Sequence, residues 1–411
     1  CDKVLAGYFP SLRSGARPKR GGLGIVTQSG AIGNSLLARA IDRGIGISFI
    51  ISSGNETNVS LADYVDFLVA DPQTKAISLY LEGVSDAPRF VAALRSAAAA
   101  GKPVIAYKVG KTAQGARAAL SHTAKIAGEP TLYRGVFRQV GAIEATRLDD
   151  LLDIPMLVTK VGAALRKPPT TIGVVSISGG LGAVVTDHFN AEGFDIPTLG
   201  DRTRQRLEAL PVKLGSTANP VDTTAAIQRT ETTIKDILAI VAADDRIDAI
   251  VFPNAARFPE PALNVANIIA DAALETDKPV LSIWYAGQDN GPAVQRLHRS
   301  ERVACFDDPG HCARALAAYR DFLLWQRRGG AARTGVLPMP RAVMPIVATP
   351  RGILDEFQGK SMLRAYGVPL PAESLARSEA DAVSAASRLG YPVALKIVSA
   401  AIPHKARVGG G

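Results

Sequence analysis

The sequence predicts an α/β protein built from two tandem parallel-sheet modules, followed by a linker and the start of a third domain. Three observations carry this reading. From Leu23 onward the chain alternates short apolar runs with helical stretches, and glycine turns join the first of each. At Gly173 the same design restarts, 149 positions after Gly24. After Gln326 the composition changes to Arg, Gly and Pro, which marks a connector. Apolar strands alternating with helices imply a parallel sheet covered on both faces.

In the first module, Gly24-Ile-Val-Thr-Gln-Ser-Gly-Ala-Ile-Gly33 reads as a strand and turn leading into a helix from Asn34 to Ile41. Further strands are expected at Ile47–Ile51, Ala76–Leu81 and Pro103–Val109, with a helix over Ala87–Ala99. In such sheets the working groups collect beyond the carboxyl ends of the strands. The turn at Thr27–Gly33, Glu82, and the loop from Gly110 to Gly128 all fall there.

The second module opens with Gly173-Val-Val-Ser-Ile-Ser-Gly-Gly-Leu-Gly182, which matches Gly24–Gly33 at the glycines, a serine and the apolar positions. Asp248–Phe252 echoes Ala76–Leu81, and Lys278–Trp284 echoes Lys102–Tyr107. Three echoes in one order point to duplication. Each copy presents a glycine turn at a helix N-terminus, where free N–H groups and the helix dipole favour an anion. Two such ends could serve one phosphate.

The assigned boundaries are 1–22 as a connector from a preceding domain, 23–160 and 168–325 as the two modules, 326–352 as linker, and 353–411 as the opening of the last domain. Within the last, helices are expected at Asp355–Tyr366 and Glu379–Leu389, and a strand at Gly390–Ser399. Lys396 on that strand suits a nucleotide phosphate. Snorkelling at a sheet edge is the competing reading. Cys1 without a starting Met and the closing Val408-Gly-Gly-Gly411 lead us to expect a piece of a longer protein.

Composition narrows the partners. Apolar residues make up 47% and charged residues 21%, a globular balance, and no run of about 18 apolar residues offers a membrane span. Three cysteines are too few for a disulfide framework and fit a reducing cytoplasm, and Cys305, His311 and Cys312 lack a second ligand pair for a metal. The net charge of +9 is scattered along the chain, which favours anionic small molecules over nucleic acid. No dinucleotide fingerprint or nucleophile elbow occurs. Gly110-Lys111-Thr112 has the end of a P-loop, but Ile105 stands where its first glycine belongs.

The Gly110–Gly128 loop places His122 between Ser121 and Thr123, amid Lys108, Lys111, Arg117 and Lys125, with no acid between Asp86 and Glu129. An imidazole in a cationic, small-residue loop suits a nucleophile that holds a phosphoryl group. A surface loop with an ordinary histidine is the alternative that these residues alone leave open.

Together, Thr27-Gln-Ser-Gly30, Tyr80-Leu-Glu-Gly83, Gly115-Ala-Arg-Ala…Ser121-His-Thr123, Ser178-Gly-Gly-Leu-Gly182, Ala218-Asn-Pro-Val-Asp222 and Gly390-Tyr-Pro-Val-Ala-Leu-Lys396 resemble the NDP-forming acyl-CoA synthetases, relatives of succinyl-CoA synthetase. The resemblance spans essentially the whole chain. It implies two flavodoxin-like domains and the beginning of an ATP-grasp domain, without the CoA-binding domain that precedes them in fused forms. It implies His122 as phosphohistidine carrier and Glu82 as its orienting carboxylate. Phosphate would be bound by Gln28, Ser29, Gly30, Ser121, Thr123, Gly179 and Gly180, and nucleotide contacted by Lys396, His404 and Lys405.

The implied reaction joins a small carboxylic acid to CoA at the expense of ATP, with Mg²⁺, and releases ADP and phosphate. No resident metal, nucleic acid or membrane partner is implied, and the full-length protein is expected to be a cytoplasmic homo-oligomer. Two departures stand out: Ala124-Lys125 replace the family's glycine and serine, and His404-Lys405-Ala406-Arg407 lacks the usual Ser-Asp. A second class of function is a non-catalytic CoA- or nucleotide-sensing module fused to a protein acetyltransferase. Such relatives tend to lose the histidine that this chain keeps.

Overall fold

A computed structural model describes residues 17–112, 114, 115, 117, 129–165, 167–224, 231–255, 259–285, 291–330 and 354–399. The chain divides into two compact units, 1–334 and 335–411.

The first unit holds two five-stranded sheets. In the first, β1 (Arg20–Thr27), β2 (Ile47–Ser52), β3 (Ala76–Leu81), β4 (Val104–Lys108) and β5 (Ile143–Glu144) stand in the order β2-β1-β3-β4-β5, all parallel. In the second, β6 (Ile172–Ser176), β7 (Val221–Asp222), β8 (Ala249–Asn254), β9 (Val280–Trp284) and β10 (Val303–Phe306) stand in the order β10-β9-β8-β6-β7. Read from the other edge, the two orders are the same, so the repeat seen in sequence is a repeat of topology. β3 is buried at every position, and β8 likewise. Continuous apolar runs are what a sheet covered on both faces requires.

The helices of the first copy are α1 (Gly30–Asp42), α2 (Leu61–Ala70), α3 (Ala87–Ala99), α4 (Pro130–Val140) and α5 (Asp150–Val161). Those of the second are α6 (Gly179–Ala191), α7 (Asp201–Glu208), α8 (Glu231–Ala242), α9 (Pro259–Ala272), α10 (Gly291–Arg299) and α11 (Pro309–Arg327). Helix starts follow sequence closely: Ser29, Ser60, Asp86, Ser178 and Asp308 each accept a backbone N–H as N-cap.

Helix α5 fastens the copies together. Eleven of its twelve residues are buried, and it packs on β1, β3 and β4 of its own sheet as well as on β10 and α11 of the other. A helix buried on nearly every side belongs in a core, and its charged members Asp153 and Lys160 are there because they have polar partners. One continuous cluster accordingly runs from Leu23, Ile25 and Leu37, through Leu152 and Met156, to Phe306, Leu316 and Phe322. Gly44, at φ +59, lies so close to the second copy that a β-carbon there would stand 2.7 Å from the His298 carbonyl.

Pro155 sits inside α5. It has no N–H for the carbonyl four residues earlier, that of Leu151. Ser78 on β3 fills the gap, its buried hydroxyl donating to the Leu151 carbonyl at 2.7 Å. Ser78→Ala is expected to lower stability by about 1–3 kcal/mol, the cost of an unsatisfied buried carbonyl. Urea unfolding measures it, and a loss no larger than that of an exposed serine would contradict this account.

In the second unit, α12 (Glu356–Ala365) and α13 (Glu379–Leu389) occupy the expected stretches. The expected strand at Gly390–Ser399 is not one: the segment is irregular, and Leu395 is 80% exposed. A strand exists through its ladder, and no partner strand is present among the described residues of this unit. Among the described residues, no helix is long and apolar enough to cross a membrane.

Candidate functional site

The carboxyl edge of the first sheet is level at Thr27, Ser52 and Tyr80, which are mutual register partners, and at Leu81 and Lys108, which are another such pair. The chain leaves β1 through a tight hydroxyl turn. Thr27 Oγ1 donates to the Ser29 carbonyl at 2.8 Å and accepts the Ser29 N–H at 3.0 Å, while Ser29 Oγ accepts the Ile32 N–H at 3.4 Å. Gly33 lets α1 close onto the strand, since a β-carbon there would meet Thr27 Cγ2 at 2.7 Å. Gly30 is exposed at the helix start. The backbone N–H groups of this first turn have no partner within the helix and aim along its axis.

Gln28 is buried and acts as a clamp. Its Oε1 accepts the N–H groups of Glu82 at 2.5 Å and Gly83 at 3.1 Å, while its Nε2 donates to the Gly83 carbonyl at 2.8 Å and to Glu56 Oε1 at 2.7 Å. The Gln28 amide therefore holds the backbone of Glu82 in place, and what the turn offers an anion is its N–H groups. Glu82 itself is half-buried, so its side chain keeps a path to solvent.

Glu56 was not singled out from the sequence. It adopts a left-handed backbone, φ +56, and also accepts from Ser53 Oγ at 2.8 Å. The available signal was its place just beyond β2, on the edge where the other site groups collect.

Two of the cations expected around the His122 loop are otherwise engaged. Lys108 is 2% exposed; its ammonium donates to the Val109 carbonyl at 2.5 Å and lies 5.2 Å from the Tyr133 ring centroid. Burial pushes its pKa down, partly opposed by Glu82. Lys111 donates to the Ala145 carbonyl at 2.8 Å and sits 4.5 Å over Tyr107, and burial again lowers its pKa, opposed by Glu144 and Asp150. Sequence proximity misplaced these charges because strand alternation and the turn after β4 direct them inward. Tyr80, stacked on Tyr107 at 5.9 Å, has its pKa raised by burial and by Glu82.

The second sheet repeats the turn group for group. Ser176 Oγ donates to the Ser178 carbonyl at 2.8 Å and accepts the Ser178 N–H at 3.1 Å, and Ser178 Oγ accepts the Leu181 N–H at 3.4 Å. Gly179 and Gly180 are exposed at the start of α6. The difference is Asp222, whose Oδ2 lies 3.1 Å from where a Gly179 β-carbon would be and whose Oδ1 accepts the Thr224 N–H at 2.9 Å. A carboxylate beside a helix N-terminus stabilises the helix and competes with an incoming anion. The Ala218–Asp222 motif is thus partly scaffold. Asn219 accepts the Val174 N–H at 2.9 Å and donates to the Ile172 carbonyl at 2.7 Å, completing the ladder where β7 is only two residues long.

The structure thus brings Gln28, Ser29, Gly30 and Glu82 together at one edge and sets Gly179 and Gly180 at the equivalent edge of the second sheet. His122, Ser121, Thr123 and Lys125 lie outside the described residues, as do His404 and Lys405. In the second unit, Lys396 is exposed, with Nζ 3.9 Å from Glu356 Oε1. Cys305 and Cys312 are core residues whose thiol pKa values burial raises, that of Cys305 to about 12. Among the described residues no three His, Cys, Asp or Glu groups are placed to hold a metal ion.

Residues 20–158 match the succinyl-CoA ligase-like flavodoxin domain family, and residues 346–410 match an ATP-grasp domain family. The chain is 29% identical over 404 residues to the ADP-forming 4-hydroxybutyrate–CoA ligase of Nitrosopumilus maritimus, covering 96% of this chain and 56% of that protein. It is 28% identical over 400 residues to a trans-feruloyl-CoA synthase from an unknown prokaryotic organism, covering 94% and 54% respectively. The chain therefore spans about half the length of these curated relatives. Among solved structures, the Candidatus Korarchaeum cryptofilum acetyl-coenzyme A synthetase 1, complexed with phosphate and ADP, superposes with a TM-score of 0.67 at 27% identity, over 78% of this chain and 68% of that one.

Proposed function

The chain belongs to the NDP-forming acyl-CoA synthetase family, and from that premise we propose that it forms part of an acid–thiol ligase, which makes acyl-CoA from a carboxylic acid, CoA and ATP with release of ADP and phosphate. The observation that carries the reading is the pair of Ser/Thr–x–Ser–Gly turns with the same hydrogen-bond pattern, each opening an exposed helix N-terminus at the carboxyl edge of its sheet. Two such ends, each with free N–H groups, suit a phosphoryl group in transit.

In the proposed sequence, His122 attacks the γ-phosphorus of ATP, and the bond to the ADP oxygen breaks. The substrate carboxylate then takes the phosphoryl group, forming an acyl phosphate and freeing the imidazole. The CoA thiolate attacks the acyl carbon and phosphate leaves. Within this scheme Gly30, Gly179 and Gly180 hold the phosphoryl oxygens through backbone N–H groups and Ser29 through its hydroxyl, with Ser121 and Thr123 flanking the carrier. Glu82, positioned by Gln28, accepts a hydrogen bond from one ring nitrogen so that the other attacks. Lys396, His404 and Lys405 are assigned to nucleotide. Mg²⁺ would enter as the counter-ion of the nucleotide phosphates, and no step is derived through it.

The test uses the full-length protein with ATP, Mg²⁺, CoA and a panel of short-chain, branched, dicarboxylic and aromatic acids. At least one acid is expected to give a CoA thioester with an equivalent of ADP. Acid-dependent release of AMP and pyrophosphate, or no thioester with any acid, would overturn the reading.

A further inference from the structure

At the opposite pole of the first sheet, a cleft of about 320 Å³ opens among the amino ends of β1 and β3, the glycine turn before β2, the last turn of α5 and the turn before β10. Strand β1 runs for eight residues, so the cleft lies roughly 20 Å from the Gln28–Glu82 edge. Four cations line it, Lys19, Arg20, Lys75 and Lys160, against one carboxylate, Glu301. Glu301 is already paired with Lys19. The remaining walls are largely backbone: Gly21 and Gly46 are pressed together so closely that a β-carbon on Gly21 would stand 2.4 Å from the Gly46 Cα.

Lys160 is the informative member. It is 9% exposed, and among the described residues its ammonium donates to the His298 carbonyl at 2.6 Å, with no carboxylate within ion-pair distance. Burial brings its pKa down to about 8, and Lys19 and Arg43 press in the same direction against Glu301 and Cys305. An ammonium that is desolvated and crowded by other cations is costly unless an anion approaches it. The favourable field of a cation at the C-terminus of α5 accounts for the place of Lys160 in the last turn. It does not account for three further cations converging on the same cavity.

We propose that this cleft is a second anion site, separate from the catalytic edge, which binds a phosphate-bearing small molecule between the two copies of the module. The cavity lies at the lower end of the size range of ligand pockets, which fits inorganic phosphate, pyrophosphate or the diphosphate of a nucleotide. Its walls come from both copies, with Lys160 and Lys75 on the first and Glu301 on the second. All four cations belong to the first copy, so a bound anion is held by that copy, beside the joint that α5 fastens.

The test is site-resolved acetylation. The protein is pulsed with acetic anhydride, alone or with phosphate, pyrophosphate or ADP, and each lysine is quantified by peptide mass spectrometry. At a ligand concentration about four times Kd, mass action predicts acetylation about fivefold slower at Lys19 and Lys75, with Lys235 on the second copy unchanged. Protection by phosphate alone identifies a free-phosphate site, and protection by ADP but not phosphate identifies a nucleotide site. Both results support the proposal. Lys75→Glu, an exposed substitution, is expected to abolish the protection of Lys19, and Glu301→Gln to strengthen it. No protection by any of the three anions, or protection unchanged in Lys75→Glu, would overturn the proposal.

Discussion

Replacing His122 by asparagine in the full-length protein is expected to stop CoA thioester formation, lowering the rate by at least about four orders of magnitude, the scale on which loss of a covalent nucleophile acts. Asparagine keeps a comparable polar outline but has no basic ring nitrogen to accept and release a phosphoryl group. The phosphorus–nitrogen bond of phosphohistidine is labile in acid and stable in base. Labelled ATP with Mg²⁺ should therefore leave acid-labile, base-stable label on the wild-type protein and none on the variant. Labelling unchanged in His122→Asn would remove the residue from the mechanism. Glu82→Gln discriminates further. Its label should build up more slowly but remain, because the glutamine side chain still accepts a hydrogen bond yet no longer stabilises the positive charge that develops on the ring. Nothing in the Gln28 clamp depends on the Glu82 carboxylate, since Gln28 binds the backbone N–H groups of residues 82 and 83. A slowed Glu82→Gln enzyme thus reports on chemistry rather than on loop collapse.

The second large effect is on stability. Asp153, on α5, is 1% exposed; its Oδ1 pairs with Arg43 Nη2 at 2.5 Å and its Oδ2 lies 3.3 Å from His311 Nδ1 on α11. The one carboxylate thus ties α5 to the turn after α1 and to the last helix of the second copy. Asp153→Ala is expected to cost about 3–5 kcal/mol, because it leaves a largely buried guanidinium unpaired. Asp153→Asn should cost less, since an acceptor remains. Urea unfolding of the two variants provides the measurement, and a loss below about 1 kcal/mol for alanine would mean that water reaches Arg43.

The same cluster predicts a pH profile. Burial pushes the Asp153 pKa up, but the His311 hydrogen bond and Arg43 outweigh it and hold the carboxyl below its ordinary value. Its contribution is present above the unfolded carboxylate pKa and is lost as pH falls through the depressed folded value. His311 is raised, first by its hydrogen bond to Asp153 and against the effect of burial. Its contribution is complete below the ordinary imidazole pKa and is lost as pH rises through the elevated folded value. Stability from this pair should therefore peak between those limits, and in Asp153→Asn the profile should flatten on both sides.

The sequence was informative wherever a local rule dictates the structure. Helices at Ala87–Ala99 and Glu379–Leu389 appear at the expected bounds, because capping residues and Gly or Pro punctuation act within one turn. The duplication was legible because one turn geometry, Thr27–Ser29 and Ser176–Ser178, needs the same small and hydroxyl residues each time. The strand expected at Gly390–Ser399 failed for the opposite reason: alternation supplies a surface, but a ladder needs a partner that local sequence does not specify.

By itself, then, the sequence determined the α/β class, the repeat, the glycine turns and the family. Only the tertiary structure decided which polar groups are already spent on the protein's own chain. Gln28 was read as a phosphate ligand, yet its amide is spent on residues 82, 83 and 56. Lys108 and Lys111 were read as cations for the His122 loop, yet both ammonium groups turn inward to carbonyls. Nothing local marks Lys160, Ser78 or Asp153, whose partners lie on elements 73 to 158 residues away. Pattern and capping are set by neighbours a few residues apart, whereas desolvation and charge pairing are set by whatever the folded chain brings to within a few ångströms, and that distance is not written along the sequence.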